Sequence, residues 1–192
     1  MKKIASFLLV LGLSLCSQAH AQVVACGDKS LPPDQRWNPP NSAVSPQLKR
    51  FYDLGDRLSA AHKDGNSAQS VTAAKQYLEA AKSFRCNWNF GNAIHDANTA
   101  LGLAALHQGN TDEAVQFLAA ASKSTGSPQL DTFGPSMLLA DELVKIGKRK
   151  EVIAYLKAVK RFWEMDDKSV ARWVAQLEVG GSPDFRLNLR PL

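Results

Sequence analysis

The side chains that could do chemistry in this chain are its histidines, its cysteines, a crowd of lysines and arginines, and one aromatic island. His62, His95 and His107 follow the N-terminal leader and stand far apart. A metal site built on one helix needs imidazoles a turn apart, most simply at i and i+4, and no pair here has that spacing. No metal is expected. His95 precedes Asp96, but neighbours on a helix project in different directions, so a capping or surface histidine is expected rather than a general base. Gly-x-Ser-x-Gly, Gly-x-Gly-x-x-Gly and Walker patterns are missing, and no cofactor is expected.

Lys145, Lys148, Arg149, Lys150, Lys157, Lys160 and Arg161 place seven cations within 17 residues, with Glu151 the one acid among them. Such a face could meet an acidic partner or anionic headgroups; its ordinary role is to solubilise. Trp88-Asn89-Phe90 beside Cys86 reads as a wedge between helical hairpins, with a small ligand shelf as the rival reading.

Compartment decides what the cysteines can do. Lys2 and Lys3 precede an apolar run from Ile4 to Leu15, and Ala19-His20-Ala21 offers the small-x-small pattern of signal peptidase sites. A signal peptide over 1–21 is expected, giving a periplasmic or secreted protein after cleavage near Ala21. The run falls short of the roughly 20 residues that span a bilayer, so no transmembrane segment is expected. Val23-Val24-Ala25-Cys26 loosely resembles a lipoprotein box, although Ser17 to Gln22 separates it from the apolar run. Cys16 leaves with the leader. Cys26 and Cys86 remain, an even count that favours one disulfide in an oxidising compartment, with two buried free thiols as the alternative. Closing a loop of about 60 residues would stabilise the fold by about 4 kcal/mol on the chain-entropy model. Without Lys2 and Lys3, 21 basic residues face 18 acidic ones, too mild an excess to imply a nucleic-acid partner.

The elements that position these residues are helices. Residues 22–46 form a proline-rich irregular arm, since Pro32-Pro33, Pro39-Pro40 and Pro46 sustain neither helix nor central strand. From there to residue 192 the periodicity is helical. Ser45-Pro46 reads as an N-cap followed by proline in the first turn, opening a helix that ends near Asp64-Gly65. Further helices are expected from Ala68 to Phe84, Ala93 to Gln108, Asp112 to Lys123, Gly134-Pro135 to Gly147, Lys150 to Trp163 and Lys168 to Glu178. A short extended piece is expected over Phe185 to Leu189. Turns of two to six residues force consecutive helices antiparallel.

Three of these helices share a core triplet. Ala74, Leu78 and Ala81 correspond to Ala114, Leu118 and Ala121, and then to Val152, Leu156 and Val159, at offsets of 40 and 38 residues. Such a period marks an array whose units bury their faces on neighbours. The middle unit, with Leu101-Gly102, Ala105, Gln108-Gly109-Asn110, Asp112-Glu113-Ala114, Leu118 and Ala121, resembles the tetratricopeptide repeat family. The likeness covers residues 92–163 well and 47–85 poorly, and the offsets exceed that family's ~34 residues. Gly91-Asn92-Ala93-Ile94-His95 and Ser127-Pro128-Gln129-Leu130 also resemble phrases of small exported bacterial helical proteins of undefined activity. The fold class implied is all-α: a short α-solenoid of antiparallel hairpins over 47–192, with the arm before it and a C-terminal capping helix.

In that family the first helices of the hairpins line a concave face that grips peptides. The resemblance carries this role to Asp96, Thr99, Leu103, Leu106 and His107 on the third helix, and to Met137, Asp141, Val144 and Lys145 on the fifth. Gly102 is expected to let the Ala114 backbone approach. The function implied is a non-catalytic module binding a protein or peptide. Beside it stand a self-associating structural or assembly component of the cell envelope and, last, a hydrolytic enzyme, for which titratable groups would have to converge in a pocket. The disulfide is checked directly: alkylation of exported protein without reductant, read by mass spectrometry, should label neither Cys26 nor Cys86. Full labelling of both rejects the bridge.

Overall fold

The computed structural model describes residues 44–192 apart from Asn66 and Met165. The expected leader, most of the expected arm and Cys26 lie outside the described residues, and so therefore does one end of the expected bridge. Eight α-helices occupy the described chain: α1 Pro46–Lys63, α2 Ser67–Ala81, α3 Phe90–His107, α4 Thr111–Ala121, α5 Pro128–Phe133, α6 Leu138–Lys145, α7 Arg149–Val159 and α8 Asp167–Glu178. A single 3₁₀ turn follows at Arg186–Asn188, and no strand occurs among the described residues.

Local chemistry explains the helix starts. The Ser45 hydroxyl accepts the Leu48 N–H at 3.1 Å with Pro46 in the first turn, satisfying a donor that the helix itself cannot. Ser127-Pro128 does the same for α5, its hydroxyl accepting from Leu130 at 3.0 Å. That six-residue helix was expected to be loop. Its Ser-Pro opening matches that of α1, but six residues are too few to show a 3.6-residue period.

α6 starts at Leu138 rather than at Pro135. Gly134 has φ of +74° and packs against the Trp163 ring, and the Met137 N–H donates to the Asn188 carbonyl at 2.9 Å. The backbone of 134–137 thus serves the C-terminal segment instead of a helix. α3, conversely, starts three residues earlier than expected, so Phe90 belongs to it.

The repeated triplet marks core positions on α2, α4 and α7. All nine residues are buried except Leu78, which is half-buried. Each hairpin packs on the next, with α2 against α3, α4 against α6 and α7, and α7 against α8. Two apolar clusters result. One joins Phe51, Leu58, Tyr77 and the alanines of α2 and α3; the other runs from Ala105 through Leu139, Leu156 and Trp163 to Phe185. Phe117 touches both. The aromatic island closes the first hairpin: Trp88 lies 5.4 Å from Tyr52, and Phe51 stacks on Phe84 at 5.0 Å between ring centroids.

The two phrases 91–95 and 127–130 meet in space. A Cβ on Gly91 would lie inside the Gly126 carbonyl, and one on Gly126, whose φ is +84°, would lie 2.6 Å from the Phe162 Cβ. The Ser124 hydroxyl donates to the Gly91 carbonyl at 2.8 Å, and the Ser127 hydroxyl donates to the Asn92 side-chain oxygen. Gly102 behaves differently from expectation. Its added Cβ would strike the end of the Leu139 side chain on α6 and lie 3.2 Å from the Phe117 Cβ; Ala114 is not the near neighbour. Glycine there admits the third hairpin as well as α4.

The two sites differ in what can yield. Leu139 can turn, whereas the Gly126 carbonyl is backbone. Gly102→Leu should therefore destabilise by about 1–3 kcal/mol, and Gly91→Ala should reach or exceed the upper end of that range, as read by chemical denaturation. A Gly91→Ala protein as stable as the parent would show that this contact is misplaced.

Candidate functional site

Side chains from the aromatic island and the start of α3 form a polar seam. The Asn87 amide donates to the Tyr52 hydroxyl at 2.9 Å, and the Asn89 amide donates to the Tyr77 hydroxyl at 2.6 Å. The Asn87 side-chain oxygen accepts the Asn89 N–H at 2.9 Å. The Asn92 amide then donates to the Asn89 side-chain oxygen at 2.9 Å. Each of these buried polar groups has a partner, which is the condition for burying it cheaply. Burial also drives the Tyr77 hydroxyl pKa well up, helped by the charge of Asp96, so Tyr77 acts as a fixed hydrogen-bonding group.

His95 has no exposed surface. Its Nδ1 lies 2.8 Å from Asp96 Oδ1 and its Nε2 lies 2.9 Å from the Tyr155 hydroxyl on α7. The expectation of a surface histidine, with its neighbour pointing elsewhere, is thus corrected: Asp96 folds back along the helix surface to reach the ring. Nδ1 donating to the carboxylate and Nε2 accepting the phenol proton satisfies all three groups. Burial raises the Tyr155 pKa far above its ordinary value, with Asp96 adding to it. With an inaccessible imidazole and a phenol held protonated, this trio braces α3 to α7, and Asp96 alone of the three reaches solvent.

Of the nine expected binding residues, three are core. Thr99 is 1 % exposed, its hydroxyl donating to the His95 carbonyl at 2.9 Å, while Met137 is 0 % and Val144 5 % exposed. The helical-wheel assignment failed for Met137 and Val144 because α6 starts later and the C-terminal segment covers its entrance. Thr99 faces inward because α6 packs against α3. The other six do reach the surface: Asp96, Leu103, Leu106 and Asp141 are half-buried, and His107 and Lys145 are exposed.

Leu103 and His107 share one open cleft with His62, Ser70, Leu138 and Glu142. α1, α3 and α6 each contribute a wall, with apolar floor and charged rim. The cleft's two imidazoles interact. His62 has its pKa lowered, first by burial and then by the positive charge of His107. Nearby, Tyr52, Gly55, Tyr77, Trp88 and Asp96 line a second recess, which Leu192 borders. Sequence reasoning missed this recess, because its residues come from three helices and a turn.

The cationic run is not the open face expected of it. Lys145 contacts Asp141 at 2.8 Å and Glu142 at 2.7 Å, Lys157 reaches Glu178 at 3.2 Å, and Lys148 approaches Asp112 at 3.7 Å. Arg161 donates to the Ser122 carbonyl at 2.7 Å, meeting an orphan acceptor at the end of α4. The acids come from α4, α6 and α8, so counting Glu151 alone underestimated the opposition. Exposed pairs of this kind add little stability, but they dilute the field around Arg149, Lys150 and Lys160.

No group of three or more metal-ligating side chains occurs among the described residues, and none of the described helices is long and apolar enough to cross a membrane. Comparison with family models, curated proteins and solved structures finds no match for this chain.

The depressed His62 pKa sets the sign of a pH effect. The folded state binds protons at His62 less readily than the unfolded chain, so its contribution is present above the ordinary value near 6.5 and is lost as pH falls below it. Melting temperature should drop between about pH 7 and 5, and His62→Gln should shrink that drop. Identical slopes in the two proteins would exclude His62 as a source.

Proposed function

We propose that this chain is a non-catalytic binding module that grips a protein or peptide along the face formed by α1, α3 and α6. The open cleft shared by Leu103, His107, His62, Leu138 and Glu142 carries this reading. Its floor is apolar and its rim is polar, a composition suited to an extended peptide held by side-chain pockets and backbone hydrogen bonds. Export through a leader cleaved near Ala21 belongs to the same proposal, as does a tetratricopeptide-like stacking of the three hairpins α1–α2, α3–α4 and α6–α7. The spacing of the buried triplets supports that stacking.

A second reading, self-association within the cell envelope, is favoured by one observation. The first hairpin carries a shallow depression in which the small side chains of Ala60, Ala68 and Thr72 are flanked by Arg57 and Gln76, a surface against which another helix could lie.

The first reading is tested by selecting a displayed random-peptide library on the purified protein. Enriched peptides should lose binding to the exposed-residue variants His107→Glu and Glu142→Lys, with melting temperature unchanged. Failure to enrich, or peptides indifferent to both substitutions, would reject the cleft as the site.

A further inference from the structure

One end of the binding face already holds a peptide, and it is the chain's own. Phe185 is buried against Trp173, with ring centroids 4.9 Å apart, and from this anchor residues 188–192 travel from the α5–α6 connection toward α1 and α3. Their attachment alternates. The carbonyl of Asn188 accepts the Met137 N–H at 2.9 Å, and the carbonyl of Arg190 accepts the Ser136 hydroxyl at 2.9 Å. The side chains alternate too. The Asn188 amide donates to the Phe133 carbonyl at 3.0 Å, Arg190 donates to the Gly134 carbonyl and lies 5.8 Å over the Phe133 ring, and Leu192 packs against the first apolar cluster at the border of the recess lined by Tyr52, Tyr77 and Trp88.

The 3₁₀ turn ends at Asn188, and from there the selective contacts fall at every second residue, Asn188, Arg190 and Leu192. The accepting carbonyls belong to any peptide, whereas the three side-chain positions select one. Burial lowers the Arg190 pKa, and the charge of Asp96, whose carboxylate lines the same recess as Leu192, partly offsets it.

We propose that residues 188–192 are the resident occupant of a peptide groove, and that its outside ligand is a segment with a side-chain amide, a cation and an aliphatic residue at i, i+2 and i+4. The ligand binds by displacing the resident segment. This inference rests on the binding-module reading and specifies the ligand. A tethered occupant competes at an effective concentration in the millimolar range, so the intact chain is self-silenced toward weak ligands.

The probe is a labelled peptide of residues 186–192, Arg-Leu-Asn-Leu-Arg-Pro-Leu, titrated by fluorescence anisotropy. A chain ended after Leu187 should bind it saturably, and the intact chain at least about tenfold more weakly. The peptide carrying Arg190→Glu and Leu192→Asp should bind neither. Equal affinity for both chains overturns the proposal, as does no binding by a shortened chain whose circular dichroism matches the parent. If the shortened chain does not fold, the intact chain with Arg190→Glu and Leu192→Asp decides. It keeps Asn188 and should gain affinity for the unsubstituted peptide, and no gain overturns the proposal. Library peptides that depend on His107 but ignore removal of 188–192 would sink this inference while leaving the binding-module reading intact.

Discussion

The backbone of α3 meets the backbone of the α4–α5 connection with no side chain between them. Gly91 lies so close to the Gly126 carbonyl that a methyl group has no place, and Gly126 in turn lies under Phe162. Three stretches of chain, from α3, the turn after α4 and the turn after α7, are fixed there at one point. The interlocking hydroxyls of Ser124 and Ser127 use the carbonyl of Gly91 and the amide of Asn92 as their acceptors. Once this lock is set, α5 has its start, the 134–137 connection has its path, and the segment after Phe185 has an edge to lie along.

From that lock the candidate face follows. α3 supplies Asp96, Leu103 and His107 from one side, while its other side carries Ala93, Ala97 and Leu101 into the first apolar cluster. His95 ties the same helix to α7 through Tyr155, so the face is held from behind by a hydrogen-bonded trio whose imidazole and phenol are buried. Low dielectric strengthens such a network when every member is satisfied and penalises it when one is missing. The rigidity of the face and the burial of its charged neighbour therefore have a common source. Asp96 belongs to both, bonding His95 behind the face and bordering the Leu192 recess in front of it.

Small residues decide how much of this is visible beforehand. The alanines and glycines of α2, α3 and α4 let helices approach closely, and their spacing of three and four residues is plain in the chain. The triplets ending at Ala81, Ala121 and Val159 point to the core for that reason. A helix of six residues has no period to show, so α5 was hidden despite its Ser-Pro cap. Ion pairs were hidden as well. Lys148 finds Asp112 from 36 residues away and Lys157 finds Glu178 from 21, distances over which linear charge counting has no meaning.

The sequence by itself determined the helical class, the hairpin order, the helix caps at Ser45 and the buried triplets, because each rests on neighbours within one or two turns. It also marked six of nine residues on the exposed face, since an exposed stripe is the complement of a buried one. Tertiary structure alone decided that Thr99, Met137 and Val144 are core, that His95 is a brace rather than a surface group, and that residues 188–190 lie along the α5–α6 connection. Those outcomes depend on segments that lie far apart in the chain, as Asn188 meets Phe133 from 55 residues away. No periodicity encodes such a meeting; it follows from where the packed helices leave a backbone edge uncovered.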